Sequence, residues 1–292
     1  MMDPTTVLMI SRGTLTGGAD VAACLKKIAN LRCIMREDLL QAVNRFGDLA
    51  SRMTDRVEKA TEDYELLSEL RHPYEVLMKQ ALLNYVREGH LAYLGYSGHL
   101  LLGRVRHIVR IRLIAPEEMR IARGQQVLGE SMEEARTYVR RVDQERNQWA
   151  RWMYGEDLRD PALYDICLNL DRLPADSVCN LLYVIMQEPA FQPTAESIEQ
   201  VENDYIATQV LAKLVLDSRT SRYEFGATLQ KGILQLVGPY LDGEILDTIR
   251  AIATSVEGIN NLHYEPGYAP AFSMSTDVTW VDTKGAPHAA RS

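Results

Sequence analysis

Residues 7–20, VLMISRGTLTGGAD, carry the clearest arrangement for chemistry in this chain: an apolar run breaks into a glycine-rich turn and then into helix-forming residues. Such a turn aims backbone N–H groups and the positive end of the following helix at one spot, which suits an anion and above all a phosphate. Residues 7–10 read as a central parallel strand covered on both faces. Val21, Leu25 and Ile28 then fall on one face of a helix. The phosphate-binding candidates are Arg12, Gly13, Thr14, Thr16, Gly17 and Gly18.

Set against a Walker A loop, Gly13 and Gly17 take the places of its glycines, whereas Gly18 and Ala19 take those of its lysine and its Ser/Thr. The missing lysine removes a point charge from the β/γ-phosphates, and the missing hydroxyl removes the usual Mg²⁺ contact. Arg12 can supply part of that charge. The loop therefore argues for binding more directly than for catalysis. The competing reading is an ordinary glycine-rich turn between strand and helix.

Composition bounds the rest. With 292 residues, 46% of them apolar, the chain can bury a sizeable core in more than one domain. A net charge of -8 argues against nucleic acid as a partner. Residues 104–151 run the other way, with eleven arginines, no lysine and seven acids. Arginine without lysine suits planar, bidentate recognition of anions, although a solvated helical face with i,i+4 pairs accounts for most of these side chains. Cys24, Cys33, Cys167 and Cys179 lack metal or redox spacing and read as buried free thiols in a reducing compartment, which points to the cytoplasm. No segment approaches the roughly 18 apolar residues of a membrane span, and no signal-peptide pattern opens the chain. The six histidines lack zinc spacing, so no metal site is expected.

These residues need elements to position them, and the first two thirds alternate between strand and helix. Residues 38–85 read as a helical insert, with Leu66, Leu67, Leu70, Leu77, Leu82 and Leu83 as apolar contacts. Residues 91–95 and 107–114 read as strands. Ser131 and Glu134 form a capping box that opens a helix running to about Tyr154, and residues 165–170 are one more short strand. Alternation of this kind implies a parallel α/β sheet whose ligands sit beyond the carboxyl ends of its strands.

Residues 7–20, Arg36 with Glu37, residues 89–98 and above all residues 109–173 resemble the cytidylate-kinase-like family of P-loop nucleoside monophosphate kinases. The most specific stretch is RRVDQERNQWARWMYGEDLRDPALYDICLNLDRL, residues 140–173, which is similar to that family's lid helix, Asp-Pro turn and late strand. The resemblance spans residues 1–190 and implies a P-loop kinase-like parallel sheet with helices on both faces and a helical lid. It implies phosphoryl-group contacts for Arg146, Arg141 and Arg151, a structural partner in Asp143, and an acceptor site at Arg36, Gly95 and Tyr96.

The departures from that pattern bear on activity. The branch commonly has a Gly-Ser-Gly-Gly loop without the Walker lysine, so Gly18 alone is no lesion. Where the family usually has Tyr-Asp-Arg-Glu, this chain has Ile34-Met35-Arg36-Glu37, without the carboxylate. Where it usually has Gly-Arg-Gly-Ala, this chain has Gly95-Tyr96-Ser97-Gly98, without the cation. Phosphoryl transfer depends on positioning and charge neutralisation, so a site short of these groups can bind without transferring.

Pro189 and Pro193 mark a boundary in the last third. A helix with Ile198, Val201, Tyr205, Val210 and Leu214 leads to alternating residues 223–229, a Lys231-Gly232 turn and a second strand at 233–237. A helix with Ile245, Ile249, Ile252 and Val256 is expected to end at Gly258 as its C-cap, before an edge strand at 259–264. This small α+β unit of order α-β-β-α-β, residues 197–265 with GILQLVG and VEGINNL, resembles a BON domain. That resemblance implies a binding module for a protein or membrane surface. Residues 266–292 read as a flexible tail.

Two functions follow. One is an ATP-dependent kinase for a nucleoside monophosphate, using Mg²⁺, with Arg36 and the insert holding the acceptor. The other is a catalytically inactive nucleotide sensor that acts through the BON-like unit.

Overall fold

The computed structural model describes residues 6–58 and 67–267. The chain opens with β1 (Val7–Arg12), α1 (Gly18–Ile28), β2 (Arg32–Met35) and α2 (Arg36–Val43). The insert supplies α3 (Asp48–Glu58) and α4 (Ser68–Val86). There follow β3 (Leu91–Gly95), β4 (Ile108–Ile114), α5 (Glu117–Leu128), α6 (Met132–Tyr154), β5 (Ile166–Asn169) and α7 (Ala175–Ile185). The last stretch holds α8 (Ala195–Leu216), β6 (Gly226–Gln230), β7 (Ile233–Gly238), α9 (Gly243–Thr254) and β8 (Asn261–Pro266).

These elements fall into two compact units. One comprises the residues up to Gln41 together with Glu88–Ser197, and the other comprises Ala42–Arg87 together with the residues from Ile198 onward. The insert thus groups with the C-terminal elements.

The first unit is an α/β sheet in the order β2-β3-β1-β4-β5, every pairing parallel. Val7, Leu8 and Met9 are fully buried, as a strand with partners on both edges and apolar cover on both faces requires. Leu8, Ile10, Val109 and Ile111 pack with Val21 and Leu25 of α1 and Val178 and Leu182 of α7 in one apolar core. Each such side chain contributes about 1.5–3 kcal/mol on burial. The register sets Ser11 beside both Gly95 and Arg112, so the carboxyl ends of β1, β3 and β4 converge where the strand order reverses. That is where ligands bind in open α/β sheets.

The expected strands at 91–95, 107–114 and 165–170 form, as does the capping box of α6. The thiols differ from expectation: Cys179 is buried, Cys24 and Cys33 are half-buried, and Cys167 is exposed.

In the second unit β6 and β7 form an antiparallel hairpin, and β8 pairs with β7 in parallel. Lys231 and Gly232 both have positive φ, 51° and 76°, the requirement of a type I′ turn. Strand β6 begins only at Gly226, so Tyr223 and Phe225 precede it. Phe225 is buried and occupies the space that a side chain on Gly238 would need. Gly258 is not the C-cap of α9, because the helix stops at Thr254 and Ser255 takes the cap. Gly258, at φ +92°, turns the chain under Ile206 toward β8. Pro266 closes β8 and is not part of a tail. Leu66 and residues 268–292 lie outside the described residues.

Candidate phosphate-binding site

Strand β1 delivers the loop into the crevice. The Gly13 N–H donates to the Leu113 carbonyl at 3.3 Å, which holds the start of the loop over the end of β4. Gly17 takes φ +98° at the N-cap of α1, and the N–H groups of Asp20 and Val21 donate back to its carbonyl. Leu15 is also left-handed, at φ +58°, a conformation that costs a residue with a Cβ about 1–2 kcal/mol. Among the described residues no backbone carbonyl accepts from the N–H groups of Thr16, Gly17 or Gly18, leaving donors for a ligand.

Helix α6 closes over this loop with two side chains one turn apart. The Thr14 N–H donates to Asp143 Oδ1 at 2.9 Å, and Arg146 Nη1 donates to Thr14 Oγ1 at 3.1 Å. Arg120 of α5 pairs with the other oxygen of Asp143 and also donates to the Thr14 carbonyl at 3.4 Å. Burial works against the charge on Asp143, but the hydrogen bonds from Thr14 and Arg120 hold its carboxyl below the usual carboxylate range. Burial, together with the positive charge of Arg12, lowers the pKa of Arg146. The guanidinium still stays protonated, so it is a cation held in a place that costs free energy. Arg120 and Arg123 have carboxylate partners in Asp143 and Asp20. Among the described residues Arg12, Arg112 and Arg146 have none.

Below the loop, Arg112 Nη1 donates to Ser11 Oγ at 2.8 Å, Ser11 Oγ donates to the Tyr96 carbonyl at 2.9 Å, and Tyr164 OH donates to the Leu158 carbonyl at 2.9 Å. The His99 ring lies 4.7 Å from that of Tyr164. Burial, with the charges of Arg110 and Arg112, pushes the His99 pKa down to about 3, so the imidazole is neutral. Two guanidiniums lie near the Tyr96 ring, with Arg36 Cζ 4.8 Å and Arg146 Cζ 5.4 Å from its centroid. Arg36 also lies 5.3 Å from the Trp149 ring. The structure thus brings together Arg12, Gly13, Thr14, Thr16, Gly17, Gly18, Arg36, Gly95, Tyr96 and Arg146.

Arg141 and Arg151 stand apart from that group. Arg141 is exposed and pairs with Glu145 at 2.7 Å, one turn along α6. Arg151 is exposed and pairs with Asp157 at 2.7 Å.

Sequence reasoning missed the space beside the loop. A cavity of about 580 Å³ opens there, lined by Leu15, Met119, Ala122, Gln126, Leu173 and neighbouring residues. One side of it is α5, whose apolar pattern is weak, with only Ile121 and Gly124 buried, and another is formed by residues 170–175. No group of three or more metal-ligating side chains occurs among the described residues. Ala19 likewise offers no hydroxyl at the position where a Walker A loop has its Ser/Thr.

A family model described as the cytidylate kinase-like family matches residues 7–172. The chain belongs to that family. As a family member it is similar to an uncharacterized protein from Eubacterium ventriosum, at 14% identity and a TM-score of 0.47 over 63% of this chain and 98% of that one. It is also similar to shikimate kinase from Acinetobacter baumannii, at 12% identity and TM-score 0.35 over 62% and 93%, respectively. Dephospho-CoA kinase from Campylobacter jejuni matches at 13% identity and TM-score 0.30 over 62% and 96%. No curated protein matches the sequence. The cytidylate kinase-like assignment covers the loop, α6 and β5, and stops before α7.

Proposed function

We propose that this cytidylate kinase-like protein binds a nucleoside triphosphate, with its phosphates on the loop 13–18 and its base in the cavity walled by α5, and transfers the terminal phosphoryl group to a nucleoside monophosphate. The observation that carries the reading is Arg146: a mostly buried guanidinium without a carboxylate partner, held on the loop's Thr14 beside free backbone donors. Arg146 would neutralise charge on the transferring group. Arg36 and Tyr96 would line the acceptor side. Mg²⁺ would arrive on the phosphates of ATP, since no ligand cluster occurs among the described residues.

A second reading is favoured by Gly18, Ala19, Met35 and Tyr96, which leave the loop and the acceptor side short of a lysine, a hydroxyl, a carboxylate and a cation. On that reading the protein is a nucleotide sensor. Its output would pass through the α-β-β-α-β elements of the second unit as a BON-like binding module toward a protein or membrane surface. No helix among the described residues is long and apolar enough to cross a membrane. Free thiols support a reducing, cytoplasmic setting on either reading.

Calorimetric titration of ATP, run beside an ADP-release assay with a panel of nucleoside monophosphates, tests both. Transfer requires monophosphate-dependent ADP release, whereas binding without release supports the sensor. Gly17→Val should abolish binding in either case. A valine at φ +98° is strained whatever the space around it. Unchanged binding in that variant would remove the loop from consideration.

A further inference from the structure

We propose that Arg12 is the phosphate-binding cation of this loop, reaching from its N-terminal end into the place a P-loop lysine would fill, and that residue 18 is a glycine because the arginine occupies the space of its side chain. The inference rests on the phosphate-binding reading of the loop and assigns the charge that the loop otherwise lacks.

Gly18 opens α1, and its φ lies outside the left-handed region, so backbone conformation does not demand glycine there. Space does. A Cβ on Gly18 would overlap Arg12 Cδ and lie 3.3 Å from Nε and 3.6 Å from Cγ. The arginine stem therefore fills the space beside the Cα of Gly18. A side chain at 18 and the observed path of Arg12 exclude each other.

The surroundings of Arg12 fit an anion site. Arg12 is half-buried and, among the described residues, has no carboxylate partner, although Arg120 and Arg123 beside the loop are both paired. Its charge falls on Arg146, which is mostly buried, makes no salt bridge among the described residues and has only the nearby charge of Asp143, already paired with Arg120, to offset it. Two guanidiniums that repel each other are thus held beside unclaimed backbone N–H groups. A polyphosphate would relieve that repulsion and take up the donors. Lysine at position 18 and arginine at position 12 are then two routes to one charge.

The test is a mutant cycle read by calorimetry with ATP and, separately, inorganic tripolyphosphate, with thermal melts confirming that each variant folds. Arg12→Ala should weaken binding of both probes by about ten- to a hundredfold, the worth of a charge-assisted hydrogen bond. Gly18→Ala should cost a similar factor by displacing Arg12. The double variant Arg12→Ala/Gly18→Ala should bind no worse than Arg12→Ala alone, because the second substitution acts only through the first. Arg12→Ala/Gly18→Lys should recover tenfold or more. The proposal is overturned if Arg12→Ala binds like wild type, if Gly18→Ala has no effect, if the two losses multiply, or if lysine at 18 recovers nothing. Should Gly17→Val abolish binding while Arg12→Ala leaves it intact, the loop remains the site and only this assignment fails. If wild type binds neither probe, the phosphate-binding reading itself fails, and the assignment with it.

Discussion

Asp143 and Arg146, three positions apart on α6, divide the work at the loop. Asp143 accepts the Thr14 N–H and the Arg120 guanidinium, so its charge is spent on anchoring. Arg146 donates to a hydroxyl and lies over the Tyr96 ring, with no salt bridge among the described residues, and so keeps its charge for a ligand. If the protein transfers phosphate, Arg146→Ala should lower kcat by about 10³-fold or more while changing ATP affinity little, because the contact that matters forms in the transition state. Arg141→Ala and Arg151→Ala should stay within a factor of a few of wild type, since both side chains are exposed and paired elsewhere. A steady-state comparison of the three variants checks this, and equal losses would undo the division. Residue type and spacing pointed to the loop, and the family resemblance pointed to the arginines of α6. Neither could separate Arg146 from Arg141 and Arg151, because which face of α6 meets the loop depends on how α5 and α6 pack. Arg120 was illegible for the same reason, as one arginine in a run of eleven.

At the scale of elements, strands that are buried on both faces were readable from their apolar runs, whereas β2 was not. It has four residues, of which only Ile34 is buried. Helix α5 escaped notice because Gly124 interrupts its apolar face. That glycine has a packing role: a Cβ on it would lie 3.1 Å from Ala135 Cβ and 3.2 Å from Leu15 Cδ1, so it sets the close approach of α5 to α6 and to the loop. Gly124→Val should push the two helices apart and cost about 1–3 kcal/mol of stability. It should also weaken ATP binding, because α5 both walls the cavity and carries Arg120. Urea unfolding and calorimetry on one preparation test the pair of effects; a stable variant with wild-type affinity would show that the helix contact has slack.

At the scale of the molecule, the second unit joins the insert helix α4 to the C-terminal elements through charge as well as apolar packing. Arg87, just past α4, forks onto Glu202 of α8 at 2.6 and 2.8 Å and lies 3.8 Å from the Tyr205 ring centroid. Within α4, burial raises the pKa of Glu75 to about 7, against the opposing charges of Arg71 and Lys79 and with that of Glu224. The folded protein keeps this proton up to about pH 7, whereas the unfolded chain releases it near 4.5. Glu75 therefore lowers stability as pH rises through that window, by on the order of 3 kcal/mol. Glu75→Gln should lose that slope and gain on wild type between pH 5 and pH 8 in urea unfolding; parallel curves for the two proteins would show that the carboxyl does not titrate as described. Grouping α4 with α8 and β7 further implies that they open together. Amide exchange under rising urea should give α4 the opening free energy of α8 and β7 rather than that of β1 and β3. Arg87→Ala should lower protection in α4 and α8 alike, because the fork and the ring contact tie one helix to the other. Loss confined to α4 would mean that the two helices unfold separately and that the clamp is a local contact.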